Sequence, residues 1–125
     1  MVTDPIADLL TRIRNAMKAK HELVVVPYST MKEKIVQILK EKEYVKDVKV
    51  EEKEHKNLIV SLIPGKEFKL QRRSRPGQRI YLGKDQVRKS YQGYGIGIYS
   101  TNKGIVTDKE ARKAKTGGEF LCEIF

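Results

Sequence analysis

Apolar positions recur at helical spacing in two stretches of the first half of the chain. The first stretch begins at Asp4-Pro5, where aspartate can cap free amide groups and proline suits the first helical position. The second begins at Ser29, another capping residue. The spacing predicts inner faces made by Ile6, Leu9, Leu10, Ile13 and Met17 in the first helix, and by Met31, Ile35, Ile38 and Leu39 in the second.

Other apolar positions follow strand patterns. The continuous run from Leu23 to Val26, ended by Pro27, predicts a buried strand. Alternation at 48–50 and again at 58–62, around a polar segment, predicts an antiparallel hairpin. Pro64-Gly65 interrupts the pattern. We therefore expect two small domains, residues 1–65 and residues 66–125.

The residue pattern of the second half predicts mainly β-strands. Phe68 and Leu70 begin a strand, Pro76-Gly77 suits a type II turn, and residues 79–82 form the returning strand of a hairpin. Residues 84–91 suit a short helix or a turn. Ile96 and Ile98 alternate as in a half-buried strand. The predicted fold class is α+β, with an N-terminal helix-strand-helix-hairpin domain and a C-terminal, mostly antiparallel β domain carrying one short helix.

That short helix begins at Thr107, because Thr107-x-x-Glu110 is a capping box. Gly117-Gly118 is expected to end it, and residues 119–125 to form a terminal strand. Cys122 shares one face of that strand with other apolar residues and is predicted to lie in the core.

A polar cluster lies between the strand at 96–98 and the Thr107 helix. Each of its side chains can form hydrogen bonds, and its glycine suits a bend or a close approach. Regular structure on both sides would make the loop rigid enough to present fixed donors and acceptors to a partner. An ordinary turn has the same composition. The cluster is Ser100, Thr101, Asn102, Lys103 and Gly104.

Charge favours a nucleic-acid partner. The chain of 125 residues has 26 Lys and Arg against 16 Asp and Glu, a net charge of +10. The net charge is +2 for residues 1–65 and +8 for residues 66–125. Arg75 and Arg79 belong to a group of four arginines around the predicted hairpin, near Tyr81, and basic residues interleaved with aromatic rings are typical of RNA-binding surfaces.

The first half offers weaker candidates. The polar face of its first helix includes Arg12, Arg14 and Asn15, and is either a solvated face or a phosphate-contacting one. Lys32 follows Ser29 in the first turn of the second helix, where a cation opposes the helix dipole. A phosphate bound at this N-terminus would offset that cost. The alternative is an exposed lysine without a role.

Several classes of function find no support in the sequence. One cysteine excludes an intramolecular disulfide, and Cys122, His21 and His55 are too scattered for zinc. No run approaches the roughly 18 apolar residues of a membrane span, and no signal peptide opens the chain, which points to a reducing cytoplasm. No motif places a base beside a nucleophile. We expect no enzyme, no metal and no cofactor.

Two alternatives to a selective RNA-binding protein stay open. One is a sequence-tolerant nucleic-acid binder, which needs only the charge. The other is a small nucleotide-using enzyme, suggested by Gly93-x-Gly95-x-Gly97. The spacing of these glycines departs from the dinucleotide fingerprint and a strand follows them, so they are better interpreted as sites of close backbone packing.

Three stretches closely resemble the family of the eighth protein of the bacterial small ribosomal subunit. They occur in the family's order, the likeness spans essentially the whole chain, and Gly117-Gly118-Glu119 also matches. The stretches are Thr3-Asp4-Pro5 through Asn15, Ser74-Arg75-Pro76-Gly77-Gln78-Arg79-Ile80-Tyr81, and Ser100-Thr101-Asn102-Lys103-Gly104 with Thr107 to Arg112.

This resemblance implies direct binding to the central domain of small-subunit ribosomal RNA, with neighbouring small-subunit proteins as further partners. It implies that residues 100–104 are the principal RNA-binding element, supported by the N-terminal helix region, Tyr81 and Glu119. Asn102 stands where the family usually has serine, and 94–97 also depart from the usual family residues. Some members of the family repress translation by binding their own messenger RNA.

Overall fold

The structure, a computed structural model, describes residues 4–87 and 95–125. The described chain forms two compact units, residues 4–68 and residues 69–125. Pro64-Gly65, the predicted boundary, follows the last strand of the first unit. The elements of that unit are α1 (Pro5–Lys18), β1 (Leu23–Pro27), α2 (Thr30–Glu41), β2 (Val45–Glu52) and β3 (Lys56–Leu62).

Both helices of the first unit begin directly after the predicted capping residues. The Asp4 carboxylate accepts a hydrogen bond from the backbone amide of Ala7 at 3.2 Å. The Ser29 hydroxyl accepts one from the backbone amide of Lys32 at 3.1 Å. Each cap satisfies an amide that the helix leaves without an internal partner. The buried faces are Ile6, Leu9, Leu10, Ile13 and Ala16 in α1, and Lys32, Ile35, Val36, Ile38 and Leu39 in α2.

The predicted inner face of α2 was wrong at Met31, whose side chain is 40% exposed. The buried face of α2 includes positions 32, 35, 36 and 39. Consecutive residues of an α-helix are rotated by about 100° around its axis, so positions 31 and 32 point in different directions. Met31 therefore turns outward while Lys32 turns inward. In α1, Met17 is only partly buried and Ala16 lies in the core.

The strands of the first unit form an antiparallel sheet in the order β1-β3-β2. The predicted hairpin of β2 and β3 is confirmed, with Val48 opposite Val60. The expectation of a fully buried β1 was wrong. Val24 and Val26 are buried, whereas Leu23 and Val25 are 54% and 50% exposed. An antiparallel sheet covered on one face buries alternate residues only, even in a continuously apolar strand.

The second unit contains β4 (Leu70–Arg72), β5 (Tyr81–Leu82), β6 (Ile96–Thr101), β7 (Gly104–Thr107), α3 (Asp108–Lys113) and β8 (Gly118–Ile124). Its antiparallel sheet has the order β4-β8-β6-β7, and β5 also pairs with β8. The predicted α+β class is confirmed. The position of β8 at the centre of this sheet brings residues from distant parts of the chain into register.

The predicted arginine-bearing hairpin was wrong in its pairing. β4 and β5 pair with different stretches of β8, not with each other. The Ser74 hydroxyl joins the two sides instead, since it accepts from the amide of Ile80 at 2.8 Å and donates to the carbonyl of Ile80 at 3.2 Å. The turn is not type II, because Gly77 has no positive φ. Reciprocal backbone hydrogen bonds between Arg75 and Gln78 close it without one.

The capping residue of α3 is confirmed. The Thr107 hydroxyl accepts from the backbone amide of Glu110 at 3.2 Å and also donates to its carboxylate at 3.2 Å. The expectation that Gly117-Gly118 ends this helix was wrong. α3 ends at Lys113, and Lys115 takes the left-handed conformation just beyond it, with φ 54°. Gly118 instead opens β8, and Gly117 directly precedes it.

Strand packing explains those glycines. A Cβ atom on Gly117 would lie 2.2 Å from the carbonyl oxygen of Leu82, and one on Gly118 would lie 2.2 Å from that of Ser100. The same argument confirms close packing at Gly95, where a Cβ would lie 2.2 Å from the carbonyl oxygen of Ile124. Gly93 and residues 88–91 of the predicted helix or turn lie outside the described residues, whereas residues 84–86 form a turn.

The core on the α3 side of the second sheet centres on an aromatic pair. The rings of Tyr99 and Phe120 stack with their centroids 4.7 Å apart, and Val87 and Ala111 pack in the same cluster. Cys122 is fully buried, and burial raises the pKa of its thiol to about 12. Its prediction as a core residue is confirmed.

Candidate nucleic-acid interface

The polar cluster forms a tight turn between β6 and β7. Thr101 pairs with Gly104, which leaves Asn102 and Lys103 as the turn residues. The Thr101 hydroxyl donates to the carbonyl of Gly104 at 3.0 Å and accepts from the amide of Lys103 at 3.1 Å. Gly104 has a φ of 106°, where other residues are strained. The turn is therefore fixed from inside by its own threonine and its own glycine.

The tip of this turn is open to solvent. Asn102, Lys103 and Gly104 are exposed, while Ser100 and Thr101 are partly buried. Within residues 4–87 and 95–125, no hydrogen bond engages the hydroxyl of Ser100 and no ion pair engages the ammonium of Lys103. These two groups can bind a partner without first giving up a contact in the protein.

A single row of residues crosses the sheet beside the turn. Tyr81 of β5 pairs with Glu119 of β8, and Glu119 pairs with Ser100 of β6. Ser100 in turn pairs with Ile105 of β7. Side chains at directly opposed positions point to the same face of a sheet. Three residues predicted from the sequence as RNA contacts, widely separated in the chain, therefore meet on one surface.

Charge and exposure vary along this row. The Tyr81 side chain is 65% exposed. The Glu119 carboxylate is only 13% exposed, and a guanidinium nitrogen of Arg79 lies 3.6 Å from it. Arg79 itself stays more than half exposed, and Arg75 is exposed at the nearby turn. Glu119 thus holds a cation at the edge of the row. The surface offers one exposed ring, one hydroxyl and exposed positive charge.

The candidates of the first unit form a separate group. Arg12 pairs with Asp8 at 3.0 Å and donates to the carbonyl of Val25 at 3.2 Å. Lys32 is only 5% exposed, so the interpretation as an exposed lysine was wrong. Burial lowers the pKa of Lys32, and the Arg12 charge lowers it further, while Asp8 opposes both. Two cations therefore share one carboxylate near the start of α2.

The remaining candidates of the first unit differ in how far they are already engaged. The carboxylate of Asp4 and the hydroxyl of Ser29 cap their helices, and Pro5 occupies the first turn of α1. Arg14 and Asn15 lie exposed on α1. Thr3 lies outside the described residues.

Thr116, Gly117 and Gly118 contribute to the site but were not predicted as parts of it. The Thr116 hydroxyl lies 3.2 Å from the side-chain oxygen of Asn102, within hydrogen-bond distance. The paired glycines let β5 and β6 approach β8 closely enough to align the row. A glycine pair directly before an apolar strand could have indicated close backbone approach. No sequence signal marks Thr116.

These features define a class of protein: a basic α+β protein whose candidate site is a stiff polar turn beside an exposed aromatic ring. In the described ranges, no three His, Cys, Asp or Glu side chains lie close enough to hold a metal ion. Helices α1 to α3, the only helices in the part of the chain described here, are too short or too polar to cross a membrane.

Comparison with known proteins gives the family. The family model for Ribosomal protein S8 matches residues 4–125. The chain is 49% identical to the small ribosomal subunit protein uS8 of Caldicellulosiruptor bescii, over 99% of this chain and 98% of that protein. It is 46% identical to the protein of that name from Persephonella marina and 48% identical to that from Nitratidesulfovibrio vulgaris, with both chains of each pair covered completely.

The chain therefore belongs to the ribosomal protein S8 family. This family consists of ribosomal proteins, not enzymes, so the expectation of a non-catalytic protein is confirmed.

Proposed function

We propose that this chain is a structural protein of the small ribosomal subunit that binds the central domain of small-subunit ribosomal RNA and aids its assembly. The observation that carries the proposal is the full-length family match, combined with a turn whose free groups face solvent. As a ribosomal protein it acts in the cytoplasm, with ribosomal RNA and neighbouring small-subunit proteins as partners.

The candidate surface suits folded RNA better than duplex DNA. Regular A-form RNA hides its base edges in a deep major groove but displays 2′-hydroxyls and base edges in a shallow minor groove. Short side chains such as Asn102 in the exposed turn, and Ser100 at its base, suit contact with such a surface. The Tyr81 ring is exposed enough to stack on an unpaired base. Selectivity would then come from the turn and the ring.

Affinity would come from the positive charge. Arg79, Arg75 and Lys103 are exposed around the row, and the second half of the chain carries a net +8. Phosphate contacts of this kind release counterions and make binding strongly dependent on salt. In the first unit, the Arg12 guanidinium is the more accessible candidate for a phosphate contact, since Lys32 is only 5% exposed.

Two substitutions separate selectivity from affinity. Lys103→Ala should weaken binding to all RNAs and reduce the slope of log K against log salt by about one unit, because it removes one phosphate contact. Ser100→Ala should leave that slope unchanged and lower the preference for small-subunit ribosomal RNA over transfer RNA by about fivefold to a hundredfold, because it leaves an RNA group unpaired.

The assay is competition filter binding at several salt concentrations. Lys53→Ala, in the exposed connection between β2 and β3 and outside the candidate RNA contacts, is the matched control for loss of one positive charge. If wild-type protein binds both RNAs and duplex DNA equally, the chain is a sequence-tolerant binder and the proposal fails. The chain's own messenger RNA is a second target implied by the family resemblance, and a transcript of its operon can be added as a further competitor.

A further inference from the structure

We infer that Thr116 is a positioning residue for Asn102, so that the turn presents the amide hydrogens of Asn102 to an acceptor atom of the RNA. This inference rests on the proposed function and adds a residue and a ligand chemistry to it. The contact joins two separate segments, the β6–β7 turn and the connection between α3 and β8.

The contact with Thr116 indicates which end of the Asn102 carboxamide the protein engages. The Thr116 hydroxyl lies 3.2 Å from the side-chain oxygen of Asn102 and 3.3 Å from the carbonyl of Gly117, and it can donate to either. Asn102 itself is exposed, and its amide nitrogen donates to no group of the described residues. With the Thr116 hydroxyl donating to the Asn102 oxygen, the two N–H donors of Asn102 remain for a partner.

The segment that carries Thr116 is itself well fixed. Lys115 adopts a φ of 54° directly after α3, and the amide of Thr116 donates to the carbonyl of Ala111 at 3.0 Å. On the other side, Gly117 and Gly118 pack against the backbones of β5 and β6. Thr116 is therefore held between a helix end and a strand start, which is a stable base from which to orient a side chain on a neighbouring turn.

The ligand chemistry follows from the donors. An amide N–H pair binds acceptors, and the minor groove of RNA offers purine N3, pyrimidine O2 and the oxygen of the 2′-hydroxyl. Asn102 does not need a charged target. Its contribution should therefore appear in the preference among RNAs and not in the salt dependence.

A mutant cycle tests this role. Thr116→Val keeps the shape of the side chain but removes the hydroxyl, Thr116→Ser restores it, and Asn102→Ala removes the group to be positioned. Thr116→Val should lower the preference for small-subunit ribosomal RNA over transfer RNA by about three- to tenfold, with an unchanged salt slope. Thr116→Ser should retain most of the wild-type preference. In the Asn102→Ala background, Thr116→Val should have no further effect.

Nuclear magnetic resonance of the free protein gives a readout that does not depend on RNA. The chain has three asparagines, so asparagine labelled with ¹⁵N yields three side-chain amide pairs. The Asn102 pair should show a heteronuclear NOE well above that of the exposed Asn15, and Thr116→Val should abolish the difference. Equal NOE values in the wild type, or an undiminished effect of Thr116→Val in the Asn102→Ala background, would overturn the inference.

Failure of the proposed function looks different in these experiments. Wild-type protein without any preference for small-subunit ribosomal RNA would refute both the proposed function and an RNA-directed role for Asn102, even with an ordered side chain in the free protein. A wild-type preference that survives Thr116→Val unchanged would refute only the inference.

Discussion

Gly118→Ala should disrupt the base of the polar turn, because the added methyl group has no room. Its Cβ would lie 2.2 Å from the carbonyl oxygen of Ser100, 3.0 Å from the carbonyl carbon of Ser100 and 3.1 Å from the Cα of Thr101. All three are backbone atoms, so no side-chain rotation relieves the clash. A carbon and an oxygen atom approach to about 3.3 Å at closest, so β6 and β8 must separate by roughly 1 Å.

The cost follows from that displacement. Overpacking that shifts backbone typically destabilises by about 1–3 kcal/mol. For a unit the size of residues 69–125, about 4–8 °C of melting temperature corresponds to each kcal/mol. We therefore expect a loss of roughly 5–20 °C. The separation also displaces Ser100 and Thr101 at the base of the turn, so the preference for ribosomal RNA should fall even at temperatures where the variant is folded.

Gly77→Ala is the matched control. A Cβ on Gly77 meets no atom within 4 Å, and its φ is not in the positive region. This variant should melt within a few degrees of the wild type or slightly above it, because alanine restricts the unfolded chain. Melting followed by circular dichroism, with RNA competition at a fixed salt concentration, measures both effects. Equal melting temperatures for Gly118→Ala and Gly77→Ala would refute the close packing of β6 against β8.

Two further predictions concern other parts of the molecule. Lys115→Gly should raise the melting temperature by relieving roughly 1 kcal/mol of backbone strain, because Lys115 has a φ of 54°. Lys113→Gly should lower the melting temperature, because Lys113 lies within the helix. A lower melting temperature for Lys115→Gly than for Lys113→Gly would contradict the assigned end of α3. Lys32→Met should stabilise the protein in urea titrations at neutral pH, because burial lowers the folded-state pKa of Lys32 below its usual 10.5 and so penalises its charge. The gain in the free energy of unfolding from Lys32→Met should shrink as pH rises through the lowered pKa towards 10.5, because Lys32 loses its charge first in the folded state and then in the unfolded state as well. A gain that does not change with pH would contradict the assigned cause.

Local signals predicted most of the individual elements. Asp4, Ser29 and Thr107 act within one helical turn of their own position, so a cap can be recognised without knowing the rest of the fold. The alternation that predicted β2 and β3 is local in the same sense. Leu23 and Val25 show the limit of such signals, since a continuous apolar run does not reveal that only one face of its sheet is covered.

Pairing across the second sheet could not be predicted in the same way. The composition of Arg75-Pro76-Gly77-Gln78 predicts a turn, and the simplest prediction was that the strands on either side of it pair with each other as a hairpin. The flanks pair with β8 instead, 36 to 54 residues further along the chain. The approach of β5 to β8 depends on the space left by Gly117, and that of β6 on the space left by Gly118. The row from Tyr81 through Glu119 to Ser100 exists only because of that long-range register.

The candidate site therefore combines residues known from their motif with residues found from contacts. Ser100 to Gly104 could be identified as a polar turn, and family resemblance added Tyr81 and Glu119. The role of Thr116 appears only when the connection after α3 is seen beside the turn, since threonine at that position has no distinctive neighbours in the sequence. The burial of Lys32 could be seen only in the structure, because the buried face of α2 is rotated by about one residue from the face that the sequence predicted.

Hydroxyl-radical footprinting on full-length small-subunit ribosomal RNA tests the central proposal most directly. We expect one protected region in the central domain, which Ser100→Ala weakens selectively and which Lys53→Ala leaves in place. Protection spread over many helices, or none at concentrations that saturate filter binding, would contradict a turn that recognises one shape of folded RNA.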